Sequence, residues 1–430
     1  MRVLITGAYG LIGSGIVARL HRDGHDLTGA GRDIAEARRR FPHVRWIAAD
    51  YARLRTAQDW QPLLVDIDAV VNCVGVLQDG ARDDVQAVQV DATCALFDAC
   101  AHAGMRRVVH ISAIGAEPGG PTAFSRTKSV ADAHLAGLDL PAVILRPGLV
   151  LAPAVHGGTA ILRGLAGLPF VTPLIAGDSR MLIVSLDDLA DTVAFALTPQ
   201  CPAKVVWDVA HPQPFALAAV VTAFRQWLGY PPRPVVRVPD WIARPSSAVA
   251  DVLGWLGWRS PARTTALKQL AQGMQGDPAP WMAATGIRPK HLSDILAARP
   301  AGVQDRWHAR LYFMKPLAIG GLAAFWIATG LISLGPGWDE GLNLLAPLSP
   351  EVAGFLIVAA ALLDIGLGAA LLVRSLARPV LLAMLVVSGL YLLAGTIVAP
   401  SLWLDPLGRL TKTLVVMLAT TFTLAVLDER

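Results

Sequence analysis

Cysteine is scarce: Cys73, Cys94, Cys100 and Cys201 are the only four in a chain of 430 residues. None forms a Cys-x-x-Cys pair, so neither a disulfide framework nor a structural zinc site is expected, and a reducing compartment suits the chain. Charge is also sparse, at 16% of residues with a formal net charge of +4. No run of Lys and Arg has the pattern of a nucleic-acid arm, and no nucleic-acid partner is expected. The densest basic cluster, Arg38-Arg39-Arg40, reads as the solvated end of a short helix. His-Glu-x-x-His, Gly-x-Ser-x-Gly and P-loop patterns are missing, which removes the usual signatures of metalloprotease, serine hydrolase and nucleoside-triphosphatase chemistry; no metal is expected. The first residues, Met1-Arg2-Val3-Leu4-Ile5-Thr6-Gly7, do not read as a signal peptide. The N-terminal region is therefore expected to stay on the side of the membrane where it is made.

Apolar residues are abundant, at 54%, and they concentrate after about residue 315. Four stretches, about Leu317–Leu334, Val352–Val373, Pro379–Val398 and Leu410–Leu427, each approach the ~20 residues that cross a ~30 Å hydrocarbon core. Arg306, Arg310 and Lys315 precede the first, and Arg374 and Arg378 lie between the second and third. The segment Gly335–Pro350 has Asp339 and Glu340 but no Lys or Arg. The positive-inside rule then puts both termini in the cytoplasm of a multi-pass inner (plasma) membrane protein. Arg409 and Lys412 break the rule, since they fall at the outer end of the fourth span. Asp364, near the middle of the second span, is expected to face the bundle interior, with Lys412 or Arg409 as candidate partners. Gln304 to Phe313, with Trp307, Tyr312 and basic residues, suits a segment at the bilayer surface.

The N-terminal half alternates short apolar runs with helical periodicity. Strands are expected at Val3–Thr6, Asp26–Ala30, Val44–Ala48, Ala69–Asn72, Val108–Ser112 and Ala142–Arg146, with helices at Leu11–Arg22, Asp84–Ala103 and Ser125–Gly137. That pattern implies an α/β, doubly wound, mainly parallel sheet. The first strand runs into Thr6-Gly7-Ala8-Tyr9-Gly10-Leu11-Ile12-Gly13 and a helix. Gly7 suits the tight turn, Gly10 lets a pyrophosphate approach the backbone, and Gly13 lets helix and strand pack. Tyr9, Leu11 and Ile12 then lie against the ligand at a helix N-terminus whose free N–H groups favour anions. A dinucleotide cofactor is expected. The second strand ends in Gly31-Arg32-Asp33, without the acid that accepts from an NAD ribose. The Arg32 guanidinium suits a 2′-phosphate, which favours NADP(H) over NAD(H). Asp33 could instead reach the ribose.

The spacing Gly-x-x-Gly-x-x-Gly resembles the extended and atypical short-chain dehydrogenase/reductases, with NAD-dependent epimerase/dehydratase-like members. The resemblance covers roughly residues 1–240. It implies cofactor contacts at Asp50 and Tyr51 after the third strand, backbone laid against the cofactor at Asn72, Val74 and Gly75 after the fourth, and a contact at Pro147 after the sixth. It implies catalytic roles for Ser112 and Lys128. It departs at one position: the family's catalytic Tyr, four residues before the Lys, is Phe124 here. Phe124 has no proton to give, so Ser125, Thr127, a water or solvent would have to supply it. Members lacking the Tyr resemble the atypical branch that includes the accessory short-chain-like subunit of respiratory complex I. The four-span region resembles the DoxX-like membrane family.

The expected organisation is a Rossmann domain with substrate-side elements at 1–240, a helical extension and interfacial linker at 241–313, and a transmembrane domain at 314–430. His156-Gly157-Gly158-Thr159 reads as a mobile loop, and Ser185 or Asp187 as a helix cap. Pro239 to about Arg299 reads as helical, with Trp241, Trp255, Trp258 and Trp281 packing helices or forming an apolar wall. The expected function is a membrane-anchored oxidoreductase acting on a quinone or small carbonyl substrate. The rival is a non-catalytic cofactor-binding scaffold or assembly protein. Expected partners are the lipid bilayer, a small-molecule substrate, and either a second copy of the chain or a respiratory complex.

Overall fold

The computed structural model describes residues 1–81, 83–155, 157–258, 260, 262–406 and 408–427. The chain divides into two compact units: Met1–Asp251 with Pro261–Arg306, and Val252–Ser260 with Trp307–Arg430.

The first unit is built on a seven-stranded sheet. Its strands are β1 (Arg2–Thr6), β2 (Asp26–Gly31), β3 (Arg45–Ala48), β4 (Ala69–Asn72), β5 (Arg107–Ile111), β6 (Ala142–Pro147) and β7 (Lys204–Val209). They run in the order β7-β6-β5-β4-β1-β2-β3, and every pairing is parallel. Parallel strands covered on both faces need apolar side chains on both, and Val3, Leu4 and Ile5 are all fully buried. Val3 and Ile5 enter the core on one face and Leu4 the core on the other, as the two-residue period requires. Helix α1 (Leu11–Arg22) closes the first face with Gly13, Ile16, Val17 and Leu20, a helical stripe. Helices α2 (Thr93–His102) and α3 (Ala123–Gly137) cover the second with Leu96, Phe97, Ala131 and Leu135. Strand order reverses between β1 and β4, which opens a crevice at their carboxyl ends.

All six expected strands form. The seventh, β7, lies at an edge with only Trp207 and Val209 buried and with Lys204 and Asp208 among its six residues, so its sequence lacks a clear apolar run. The helix expected at Asp84–Ala103 is interrupted by a π-helical turn, Ala87–Ala92, where the Thr93 hydroxyl donates to the Val88 carbonyl at 2.8 Å. The expected loop beyond residue 156 is instead the helix Gly157–Ala166; His156 lies outside the described residues. Ser185, not Asp187, caps helix α4 (Leu186–Ala196), accepting from the Asp188 N–H at 2.9 Å. The stretch 239–299 is broken into the helices Asp240–Trp255, α5 (Thr264–Gln272), Ala279–Thr285 and Leu292–Ala297. Of its four tryptophans, Trp281 is fully buried and donates to Thr192, whereas Trp241 is exposed.

The second unit contains α6 (Val303–Leu334), α7 (Pro350–Leu371), α8 (Ala377–Val398) and α9 (Arg409–Ala425). Among the described residues α6, α7 and α8 are long and apolar enough to cross a membrane. The fourth expected span forms a helix, but its 17 residues reach only about 25 Å at 1.5 Å per residue. Lys315 and Arg374 both donate to the Leu427 carbonyl, at 2.9 and 3.5 Å. Lys315 of α6, the α7–α8 connection and the end of α9 therefore share one end of the unit. At the other end Arg409 pairs with Glu340 at 2.6 Å and with Asp405 at 2.7 Å. This corrects the expected pairing of Asp364 with Arg409 or Lys412. Asp364 instead accepts from the Tyr391 hydroxyl of α8 at 2.8 Å. Residues 252–260 also belong here: Trp258 donates to the Leu372 carbonyl at 2.7 Å, and the Arg374 guanidinium lies over its ring.

Tyr391→Phe should leave the Asp364 carboxyl without its partner between two apolar helices. Interhelical hydrogen bonds of this kind are worth about 0.6–1.7 kcal/mol. Unfolding by SDS titration in mixed micelles should show a loss in that range, and unchanged stability would contradict the pairing.

Candidate functional site

The crevice at the carboxyl edge of the sheet is shaped first by the turn after β1. Gly7 has φ +65°, a conformation that L side chains rarely adopt. The Gly10 N–H donates to the Gly7 carbonyl at 2.8 Å and the Ser14 N–H to the Gly10 carbonyl at 2.9 Å. A Cβ on Gly13 would fall well inside van der Waals contact with the Gly7 carbonyl oxygen. The turn thus presents backbone at Gly10, Leu11 and Ile12, and the first N–H groups of α1 have no intrahelical acceptor. These features fit the phosphates of a dinucleotide.

The neighbouring end of β2 is covered by Tyr9. Its ring lies directly against Gly31, where a Cβ would clash with it. Its hydroxyl accepts from the Arg32 and Asp33 N–H groups at 3.2 and 3.3 Å. Arg32 ion-pairs with Asp83 at 2.8 Å on the surface. Asp33 caps the next helix by accepting from the Glu36 N–H at 3.3 Å, so its carboxylate is turned to that helix. Asp50 likewise accepts from the Ala52 N–H at 3.3 Å.

Beneath the crevice runs a buried polar chain. Thr6 donates to Asn72 Oδ1 at 2.6 Å, Tyr51 donates to it at 3.2 Å, and the Val74 N–H donates to it at 3.3 Å. The Asn72 amide faces His110 Nδ1 at 3.2 Å, and His110 Nε2 faces Asp132 Oδ1 at 3.6 Å. Arg146 closes the chain, donating to Asp132 Oδ2 at 2.9 Å. Burial holds the His110 imidazole well below its ordinary pKa and raises the Asp132 carboxyl against the pull of the Ser112 hydroxyl and Arg146. The Asn72 and Tyr51 side chains are therefore buried braces for the loop after β4, and burial drives the Cys73 thiol up to about 12.

Lys128 of α3 stands at the floor. It is only 3% exposed, and its ammonium donates to the Ile111 carbonyl at 2.9 Å and the Val74 carbonyl at 3.4 Å. A Cβ on Gly75 would lie 3.6 Å from its Nζ. Burial lowers its pKa to about 8. Phe124, half-buried, precedes it by one helical turn. The Ser112 hydroxyl is buried and faces the Asp132 carboxyl. The Pro147 carbonyl accepts from the Ile114 N–H at 3.1 Å.

Two hydroxyls near Phe124 are engaged elsewhere. Thr127 donates back to the Ala123 carbonyl at 2.8 Å, and Ser125 lies 3.0 Å from the Thr122 hydroxyl and 3.2 Å from Gln269 Oε1. Gln269 belongs to α5 and also accepts from Thr122 at 2.9 Å. Met274, just beyond, packs on Ile114, Leu182 and Ala210. Sequence reading missed this cover. The only signal for it was the amphipathic run Thr264–Gln272, which does not say which surface it meets.

Residues 3–200 match the NAD dependent epimerase/dehydratase family, and residues 323–421 match the DoxX-like family. The chain thus carries a short-chain-type epimerase/dehydratase domain followed by a DoxX-like membrane domain. A 3-diazoavenalumate denitrifying reductase of a Streptomyces species is 28% identical over 290 residues, 59% of this chain and 88% of that one. A UDP-glucose 4-epimerase of Mycolicibacterium smegmatis is 31% identical over 140 residues, 30% of this chain and 44% of that one. In fold, the chain is similar to the Bordetella bronchiseptica enzyme WbmH, solved in complex with NAD+ (TM-score 0.54, 17% identity, 72% of this chain and 98% of that one). It is also similar to UDP-glucuronic acid 4-epimerase from Bacillus cereus (TM-score 0.53, 17% identity, 73% of this chain and 100% of that one).

Gly13→Ala should force α1 off the β1 turn. Such overpacking costs about 1–3 kcal/mol. Thermal unfolding of the full chain in detergent should show that loss; a wild-type transition would contradict the packing described.

Proposed function

We propose that this chain is a membrane-anchored nicotinamide-dependent oxidoreductase that takes NADP(H) in preference to NAD(H) and acts on a quinone or a small carbonyl compound. One observation carries the reading. The floor of the crevice holds a buried lysine in the family's position, while the position one turn before it is Phe124 and the nearby Ser125 and Thr127 hydroxyls are engaged. The site keeps the means to hold a cofactor and has lost its tyrosine proton donor. That combination suits a substrate whose reduced form takes protons from water.

A bound nicotinamide cofactor supplies or accepts a hydride. The turn Gly7–Gly13 receives its phosphates through backbone N–H groups. Lys128, charged below about pH 8, holds the ribose. Ser112, just beyond β5, orients the substrate oxygen. Arg32 favours a 2′-phosphate: its pair with Asp83 is exposed, and such pairs are worth only ~0–1 kcal/mol, so a phosphate can displace the carboxylate. Gly31 places no carboxylate there to repel it. The Tyr9 ring has to leave Gly31 for the adenosine to seat. The reductase among the relatives supports redox chemistry on a small molecule.

We place the domain on the cytoplasmic face of an inner membrane. Lys315 and Arg374 gather at one end of the second unit, with Arg310 before and Arg378 after them in the chain, against Arg409, held by Glu340 and Asp405, at the other. Phe124 also supports a second reading, a non-catalytic scaffold that keeps the cofactor for structure.

Following NADPH absorbance with the full chain in detergent decides between them. Wild type should turn over with quinones. Phe124→Tyr should change that rate little while raising carbonyl reduction, by up to ~10²–10⁴-fold if the added hydroxyl is used fully. No quinone turnover by wild type that retains NADPH would overturn the oxidoreductase reading and leave the scaffold.

A further inference from the structure

The first unit carries an apolar face that its own core leaves uncovered. A short parallel pair joins Thr172–Leu174 to Val235–Arg237. The Thr172 N–H donates to the Pro234 carbonyl at 3.0 Å and the Val238 N–H to the Leu174 carbonyl at 2.9 Å. This register pairs Val235 with Thr172 and Val236 with Pro173; Phe170 and Val171 lead directly into the first strand, and the helix beginning at Asp240, just after the second, adds Trp241 and Ile242. All six side chains are exposed, Phe170 at 78% and Trp241 at 75%. Large apolar groups gathered in this way mark an interaction surface.

The same segment carries Arg233, Arg237 and Arg244, all exposed, against one acid, Asp240. None of the three arginines is ion-paired among the described residues. Tryptophan and phenylalanine flanked by arginine are the composition of a surface that sits at the headgroup level of an anionic bilayer. The chain supplies that bilayer itself. The first unit ends at Arg306, and the apolar part of the first span begins at about Leu317. About 11 residues, even fully extended, span at most about 40 Å, so the first unit can never move far from the membrane.

We propose that this face docks on the surface of the bilayer that the second unit spans. Phe170 and Trp241 enter the boundary between headgroups and acyl chains, and Arg233, Arg237 and Arg244 bind anionic headgroups. The docked face restrains the epimerase/dehydratase domain at the membrane surface, independently of which substrate it takes.

The test uses the full chain in nanodiscs whose lipids are brominated near the headgroup end of the acyl chain. The emission difference between wild type and Trp241→Phe isolates Trp241. In discs containing phosphatidylglycerol this component should be quenched about twofold or more. The quenching should weaken in purely zwitterionic discs, and weaken likewise in the triple variant Arg233→Glu, Arg237→Glu, Arg244→Glu. An unquenched Trp241 in both lipids would overturn the proposal. Quenching indifferent to lipid charge and to the arginine reversals would overturn the headgroup assignment. A blue-shifted, unquenched Trp241 whose shift grows with protein-to-lipid ratio would point to a second copy of the chain on this face, and would also overturn it.

Discussion

The first unit depends on holding one ammonium group out of water. Lys128 is almost fully buried, and an unpaired buried charge is among the most expensive groups a fold can carry. Its partners are two main-chain carbonyls, at the end of β5 and in the loop after β4. Those carbonyls are in place only because the strands pair in register and because the buried Asn72 amide braces the loop between Thr6, Tyr51 and Val74. The turn at Gly7–Gly13 meets the same loop from the other side, with Cys73 and Val74 in contact distance of any Cβ at Gly7. Register, brace, turn and lysine are one assembly. Burial leaves the lysine readier to lose its proton than a surface lysine, which makes its charge depend on what binds above it.

The membrane unit solves the opposite problem. Its helices are apolar almost throughout, and its few ionisable groups are kept at the ends or matched inside. Arg409 is held by Glu340 and Asp405, while Lys315 and Arg374 finish the last helix by capping a free carbonyl. Asp364 lies mid-helix and is met by a tyrosine from the next helix. That neighbour is neutral, so the pair needs no second charge within the hydrocarbon layer.

Strands buried on both faces are legible from sequence because nothing polar interrupts them, and so β1 to β6 could be placed within a residue or two. The glycine turn was legible because its geometry excludes side chains at fixed spacing. Partner choice was not legible. Asp33 reads as a group that could reach the ribose, and its role as the cap of the helix that follows was not foreseen. Asn72 and Tyr51 sit where cofactor contacts are expected, and that their side chains also brace the loop after β4 was not legible. Asp364 was assigned a cation because opposite charges attract at any distance in a sequence, whereas in the helix pair a hydroxyl lies nearer. Gln269 was invisible because its role is set by a contact across 144 residues.

The central claim is that Lys128 is the cofactor-holding group and that burial makes its charge conditional. Its folded pKa is lowered to about 8 from 10.5 by burial. Between those two values the unfolded chain binds the extra proton, so stability of the empty protein should rise with pH there. Cofactor affinity should move the other way, because the ribose and phosphates are held best by the protonated form. Titrating NADPH into the full chain by fluorescence from pH 6.5 to 9.5 measures this directly. The account predicts affinity that falls as pH passes through about 8, and weaker, pH-flat binding in Lys128→Met. Binding that is equally tight and equally pH-dependent in Lys128→Met would contradict it.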